Sequence, residues 1–244
     1  MKHLPSPNHD ARPPATPVSL LIIHYTNMPD ADAALRRLCA PEAKVSAHYL
    51  IARDGETFAL VDETRRAWHA GVASWRGRRD INARSIGIEL DHDGHDAEGR
   101  QPPFPDVQMA ALVDLSRDIV ARHALRPENI LAHSDVAPLR KTDPGEAFDW
   151  AGLAAAGVGL WPDTASMEAA PLSEGDTGMP IATWQARLAA YGYAVSQDGV
   201  FGAETAAITR AFQRHFRPAR VDGVADPETQ ARLDALLTCV APAG

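Results

Sequence analysis

Two cysteines, Cys39 and Cys239, stand at opposite ends of a 244-residue chain. So small a supply excludes a disulfide framework or a cysteine zinc knuckle, and both thiols are expected to be buried or half-buried. Lys and Arg number 24 against 32 Asp and Glu, for a net charge of -8, and no basic run is interleaved with aromatics. A nucleic-acid partner is therefore not expected. No apolar run approaches the roughly 18 residues of a membrane span. The first ten residues lack the apolar centre of a secretory signal, which points to the cytoplasm, with the periplasm or cell wall as the alternative. Gly-x-Ser-x-Gly and phosphate-cradling glycine loops are missing as well, which removes the common serine-hydrolase and nucleotide readings. What is left is a globular chain, 45% hydrophobic and 23% charged, able to build one large core or two smaller ones.

Five prolines in the first 17 residues predict an extended surface segment, with regular structure beginning at Val18. The run Val18 to Ile23 is short and uniformly apolar, so it reads as a strand buried on both faces, and it ends at His24. Ala47 to Ala52 and Thr57 to Val61 flank Asp54-Gly55 and read as a hairpin. Ser85 to Leu90 alternates, so Ile86, Ile88 and Leu90 share one face, while Glu89 shares the other with Gly87. A helix is predicted from Asp106, its expected cap, to His123, and a short strand at Asn129 to Ala132 again ends in a histidine, His133.

The predicted fold is α/β of the α+β type: a central mixed β-sheet flanked by helices, followed by a small three-helix domain. Residues 1–160 form the first unit, 161–180 a linker and 181–244 the second unit. In the second unit, Asp198-Gly199-Val200-Phe201-Gly202-Ala203-Glu204-Thr205 is echoed at Asp222-Gly223-Val224-Ala225-Asp226-Pro227-Glu228-Thr229. Each copy is a turn leading into a helix, and helices are expected at about 182–191, 203–215 and 227–237.

His24 and His133 each end a buried strand, where side chains converge on a crevice beyond the sheet edge. Asp143 follows within the motif that begins at His133, and two imidazoles with one carboxylate suit a hydrolytic zinc ion that keeps a fourth position for water. Lys141 points to the same side as Asp143 in an extended segment and would place a cation beside a developing oxyanion. Glu89 is the expected general base. A lone histidine after a strand is more often structural; three candidates in matching contexts reverse that inference. His48 and His69 are weaker ligand candidates, with a substrate contact favoured for His69. Asp91-His92-Asp93-Gly94-His95-Asp96 reads as a solvated loop.

At these residues the chain resembles the zinc-dependent N-acetylmuramoyl-L-alanine amidases of the type 2 family, relatives of the peptidoglycan recognition proteins. The carriers are Ser6-Pro7-Asn8-His9, Ile23-His24-Tyr25-Thr26, Ser46-Ala47-His48-Tyr49, Ala67-Trp68-His69-Ala70-Gly71, Asn82 to Glu89, and His133-Ser134-Asp135 through Lys141-Thr142-Asp143-Pro144-Gly145. The resemblance implies one Zn2+ per chain held by His24, His133 and Asp143, with Glu89 as catalytic acid/base and Lys141 as transition-state stabiliser. Tyr25, Trp68 and His69 would line the groove. It also implies the bond cut, between N-acetylmuramic acid and L-alanine in peptidoglycan or a muropeptide. Residues from about 180 to 238 resemble a peptidoglycan-binding domain through Gln185-Ala186-Arg187-Leu188, Tyr191-Gly192-Tyr193 and Asp198 to Gly202. A monomer is expected. The rival readings are a non-catalytic peptidoglycan-binding protein and a zinc endopeptidase acting within the stem peptide.

Overall fold

The computed structural model describes residues 1–164 and 168–240. Its elements run β1 (Lys2–His3), β2 (His9–Ala11), β3 (Leu20–Tyr25), α1 (Ala31–Cys39), β4 (Tyr49–Ile51), β5 (Thr57–Ala59), β6 (Arg65–Ala67), β7 (Ser74–Trp75), β8 (Arg78–Arg79), α2 (Ile81–Arg84) and β9 (Ser85–Leu90). They continue with α3 (Asp106–His123), β10 (Ile130–Ala132), α4 (His133–Val136), α5 (Trp150–Ala155), α6 (Met179–Tyr191), α7 (Ala203–Phe216) and α8 (Pro227–Cys239).

The main sheet has the order β1-β5-β4-β9-β3-β10 and is mixed, as expected. β3 lies parallel between β9 and β10, while β4 and β5 form the antiparallel hairpin around Asp54-Gly55. The first four side chains of β3 are all apolar and buried, so the strand is stable only where both faces are covered. Leu21 and Ile23 meet Ile86, Ile88 and the α3 residues Leu112, Leu115 and Ile119. Leu20 and Ile22 take the opposite face with Leu131, and there they join the core formed by Trp184, Leu188 and Phe212.

That second face is where the three-helix unit packs. Both units contribute buried residues to one continuous core. Trp75 sits edge-on to Tyr191 and Tyr193, with ring centroids 5.6 and 5.0 Å away. Gly192 permits this approach: it has φ +151, and a Cβ there would lie 2.7 Å from the Trp75 ring. Part of the predicted linker, residues 165–167, falls outside the described residues. Beyond it, Leu172 exchanges both backbone hydrogen bonds with Ala225.

Three local expectations need correction. Pairing begins at Lys2, because β1 and β2 borrow partners from β5 and β6, and no signal within residues 1–17 reveals those partners. Asp106 occupies the first helical position behind Pro105 and makes no side-chain cap. Cys39 is half-buried as expected, whereas Cys239, at the end of α8, is exposed.

Candidate metal centre

His24 is the fifth residue of β3, on the same face as Leu20 and Ile22. Register sets its neighbours. Across β9 it pairs with Glu89; on the other side Ala132 pairs with Ile23, so the next residue, His133, emerges beside His24. Asp143 is brought back to His133 by the backbone hydrogen bond from Ser134 N–H to Asp143 C=O, 3.0 Å.

The three side chains converge and are buried, at 1, 3 and 6% exposure for His24, His133 and Asp143. His24 Nδ1 lies 2.9 Å from His133 Nδ1 and 3.1 Å from Asp143 Oδ2, and the third side is 2.9 Å. The tautomers follow from the ends of two hydrogen-bond chains. The Ile81 carbonyl only accepts, so the Ser85 hydroxyl donates to it at 2.7 Å and accepts from His69 Nε2–H at 3.1 Å. His69 Nδ1 is then an acceptor, and His24 Nε2–H donates to it at 2.9 Å. His133 Nε2–H donates to the Ala70 carbonyl at 3.1 Å. Both Nδ1 lone pairs and the carboxylate oxygen therefore face one point, where only a positive charge relieves them. Two imidazoles and one carboxylate, each with its outer group fixed, form a donor set that fits a metal ion.

Electrostatics agree with this arrangement. Burial, reinforced by His133, lowers the His24 pKa to about 4, which leaves the ring neutral with a lone pair to offer. Burial alone would raise Asp143, but the facing imidazoles hold it well below the usual carboxylate range. Glu89 goes the other way. Burial and the nearby Asp143 push it well above the usual range, Lys141 opposes them, and its Oε2 is buried with no hydrogen-bond partner among the described residues. Such a carboxyl is suited to carrying a proton.

Eight of the residues singled out in the sequence line one cavity of about 590 Å³: His24, Tyr25, Trp68, His69, Glu89, His133, Lys141 and Asp143. His69 lines the cavity as expected and also has a structural role. It lies against the strand where Gly87 leaves room, since a Cβ on Gly87 would fall 2.5 Å from the His69 ring, and both its nitrogens are engaged inside the protein. His48 does not join the cluster; its Nδ1 accepts from Gly87 N–H. The loop at 91–96 is less solvated than expected, because Asp91 and His92 are buried and His92 stacks on Phe104 at 4.2 Å. The opposite wall, with Ala34, Arg37 and Leu38 of α1, has no counterpart in the sequence reading. Its signal is present: Asp30 caps the helix by accepting from Ala33 N–H at 2.7 Å, and Ala34, Leu35 and Leu38 recur at helical spacing.

The family described as N-acetylmuramoyl-L-alanine amidase matches residues 14–146, and a peptidoglycan binding domain family matches residues 177–233. Over 235 residues the chain is 41% identical to the N-acetylmuramoyl-L-alanine amidase AmiD of Escherichia coli, covering 90% of this chain and 82% of that one. The structure of E. coli AmiD in complex with anhydro-N-acetylmuramic acid-L-Ala-D-gamma-Glu-L-Lys superimposes with a TM-score of 0.83 at 39% identity, over 95% of this chain and 93% of that one. AmpDh3 from Pseudomonas aeruginosa in complex with an anhydromuramic pentapeptide gives a TM-score of 0.81 at 35% identity, over 93% of each chain. With a buried His-His-Asp cluster at the strand ends and this likeness along nearly its whole length, the chain belongs to the N-acetylmuramoyl-L-alanine amidase family.

Proposed function

We propose that this chain hydrolyses the amide between the lactyl group of N-acetylmuramic acid and the L-alanine of the stem peptide, in peptidoglycan or its fragments, using one zinc ion. The observation that carries the reading is the convergence of His24 Nδ1, His133 Nδ1 and Asp143 Oδ2 within 2.9–3.1 Å, with the outer ring nitrogens of both histidines committed as donors. Bound by these residues, zinc would polarise the scissile carbonyl and bring the pKa of water in its open position to about 7.

The chain's own groups do the rest. Glu89 takes the proton of the attacking water and returns one to the leaving amine, a role that its raised pKa favours. Lys141 places its ammonium on the same cavity and stabilises the oxyanion as it forms. His69 and Ser85 keep His24 in the tautomer that turns Nδ1 inward. Tyr25 and Trp68 line the groove in which the substrate lies.

Mass spectrometry of digested peptidoglycan tests the reading. Release of intact stem peptide, abolished by a chelator and restored by Zn2+, is the expected result. Fragments cut within the stem would indicate an endopeptidase, unchanged material would indicate a binder, and either would overturn it.

A further inference from the structure

The one-turn helix α4 holds the metal cluster from behind. Its first residue is His133, and its second, Ser134, grips the Asp143 carbonyl. Its third residue, Asp135, is 1% exposed and points away from the cavity into the joint between the two units. There it accepts three hydrogen bonds. Ala132 N–H donates to Oδ2 at 2.8 Å, Tyr193 Oη–H to Oδ1 at 2.5 Å, and His215 Nδ1–H to Oδ2 at 2.7 Å. Tyr193 and His215 both belong to the three-helix unit and are 3 and 2% exposed. The His215 ring cannot turn, because it is stacked between Trp150 at 3.7 Å and Phe216 at 3.8 Å. Val136, the next residue of α4, lies in the shared core.

We propose that Tyr193 and His215 are positioning residues of the metal centre: the three-helix unit, through Asp135, fixes the helical turn that presents His133 and Asp143. The unit therefore has a part in catalysis separate from any binding of glycan. A buried carboxylate held by three donors has one orientation, and the turn that carries it inherits that orientation. The proposal rests on the metal reading above.

The test uses the full-length holoenzyme. Tyr193→Phe keeps the ring packed against Trp75 and removes only the hydroxyl; His215→Phe keeps the stack and removes the N–H. Leu233→Ala, buried in α8 and not among the groups that hydrogen-bond Asp135, is the control for general destabilisation. Zn2+ affinity is measured by chelator competition, the site geometry by the visible spectrum of the Co2+ form, and kcat and KM separately. Weakening of Zn2+ binding by about tenfold in each Phe variant is expected, the lower end for outer partners of metal ligands. The Co2+ spectrum should shift and kcat fall more than KM changes, while Leu233→Ala lowers only the melting temperature. Native Zn2+ affinity and Co2+ spectrum in both Phe variants would overturn the proposal, as would an equal loss in Leu233→Ala. A wild-type protein that takes up neither metal would overturn the metal reading itself.

Discussion

Gly87→Ala adds one methyl group to β9, and the structure gives its consequences. The new Cβ would lie 2.5 Å from His69 Cγ and Nδ1 and 2.8 Å from Cδ2, distances that real contacts do not reach. Gly87 has no positive φ, so the cost is steric and not conformational. The ring cannot slide aside cheaply, because His24 holds its Nδ1 and Ser85 its Nε2. Overpacking plus one or two lost hydrogen bonds comes to about 2–4 kcal/mol. For a chain of this size that lowers the melting temperature by roughly 4–16 °C. With His69 displaced, the His24 tautomer is no longer fixed, and metal affinity should fall by about 10–100-fold. Thermal denaturation and chelator competition measure the two effects. The double variant Gly87→Ala/His69→Ala isolates the clash: with the ring gone, the added methyl should cost almost nothing beyond His69→Ala alone. A single variant that melts and binds metal like wild type would refute the reasoning, and so would strictly additive losses in the double.

Glu89→Gln keeps the shape of the buried carboxyl and removes its proton chemistry. Metal content should be unchanged while kcat for muropeptide hydrolysis drops by about 10²–10⁴, and retained turnover would remove Glu89 from the mechanism. Lys141→Met should cost about 3 kcal/mol in the transition state, seen as a loss in kcat with KM little altered; a rise in KM alone would make Lys141 a substrate anchor instead. Acid stability should depend on Glu63. Burial acts to raise its pKa, but hydrogen bonds from Arg122, Tyr49 and His123, at 2.7, 2.6 and 2.6 Å, outweigh it and bring the value down to about 2. A depressed folded-state pKa stabilises fully above the unfolded value of about 4.3 and is lost as pH falls from there toward 2. After discounting for partial exposure, this amounts to about 1 kcal/mol. Melting curves of Glu63→Gln should lie below wild type at neutral pH and converge with it in acid; parallel curves would sink the assignment.

The site was legible where its chemistry follows a local pattern. A buried apolar run ending in histidine can be read at both His24 and His133, and strand alternation puts Glu89 beside Gly87 without a structure. Their convergence is a different matter. It depends on β3 pairing in parallel with both β9 and β10, a register between segments about 65 and 110 residues apart that no local periodicity encodes. His69 illustrates the same limit. The family resemblance implies a groove residue, and His69 does line the cavity, but its hydrogen-bond partners, His24 and Ser85, come from two different strands and have no local signal.

The three-helix unit shows why a correct set of elements can still give an incomplete architecture. Its helices were readable, and the sequence echo has a physical cause. Gln185 donates to Asp198, to the Val200 carbonyl and to Thr205, and Gln213 donates to Asp222, to the Val224 carbonyl and to Thr229, so each Asp-Gly turn is tied to a buried glutamine in the same way. The echo thus serves the internal fold of the unit. What it did not disclose is that Tyr193 and His215 are polar groups whose hydrogen-bond partner is Asp135 in the other unit. A buried hydroxyl and a buried imidazole must find partners, and here neither finds one among its own helices. That need, together with the apolar surface of Trp75, Leu20 and Ile22, is what joins the two units into one body around the metal-ligand strand.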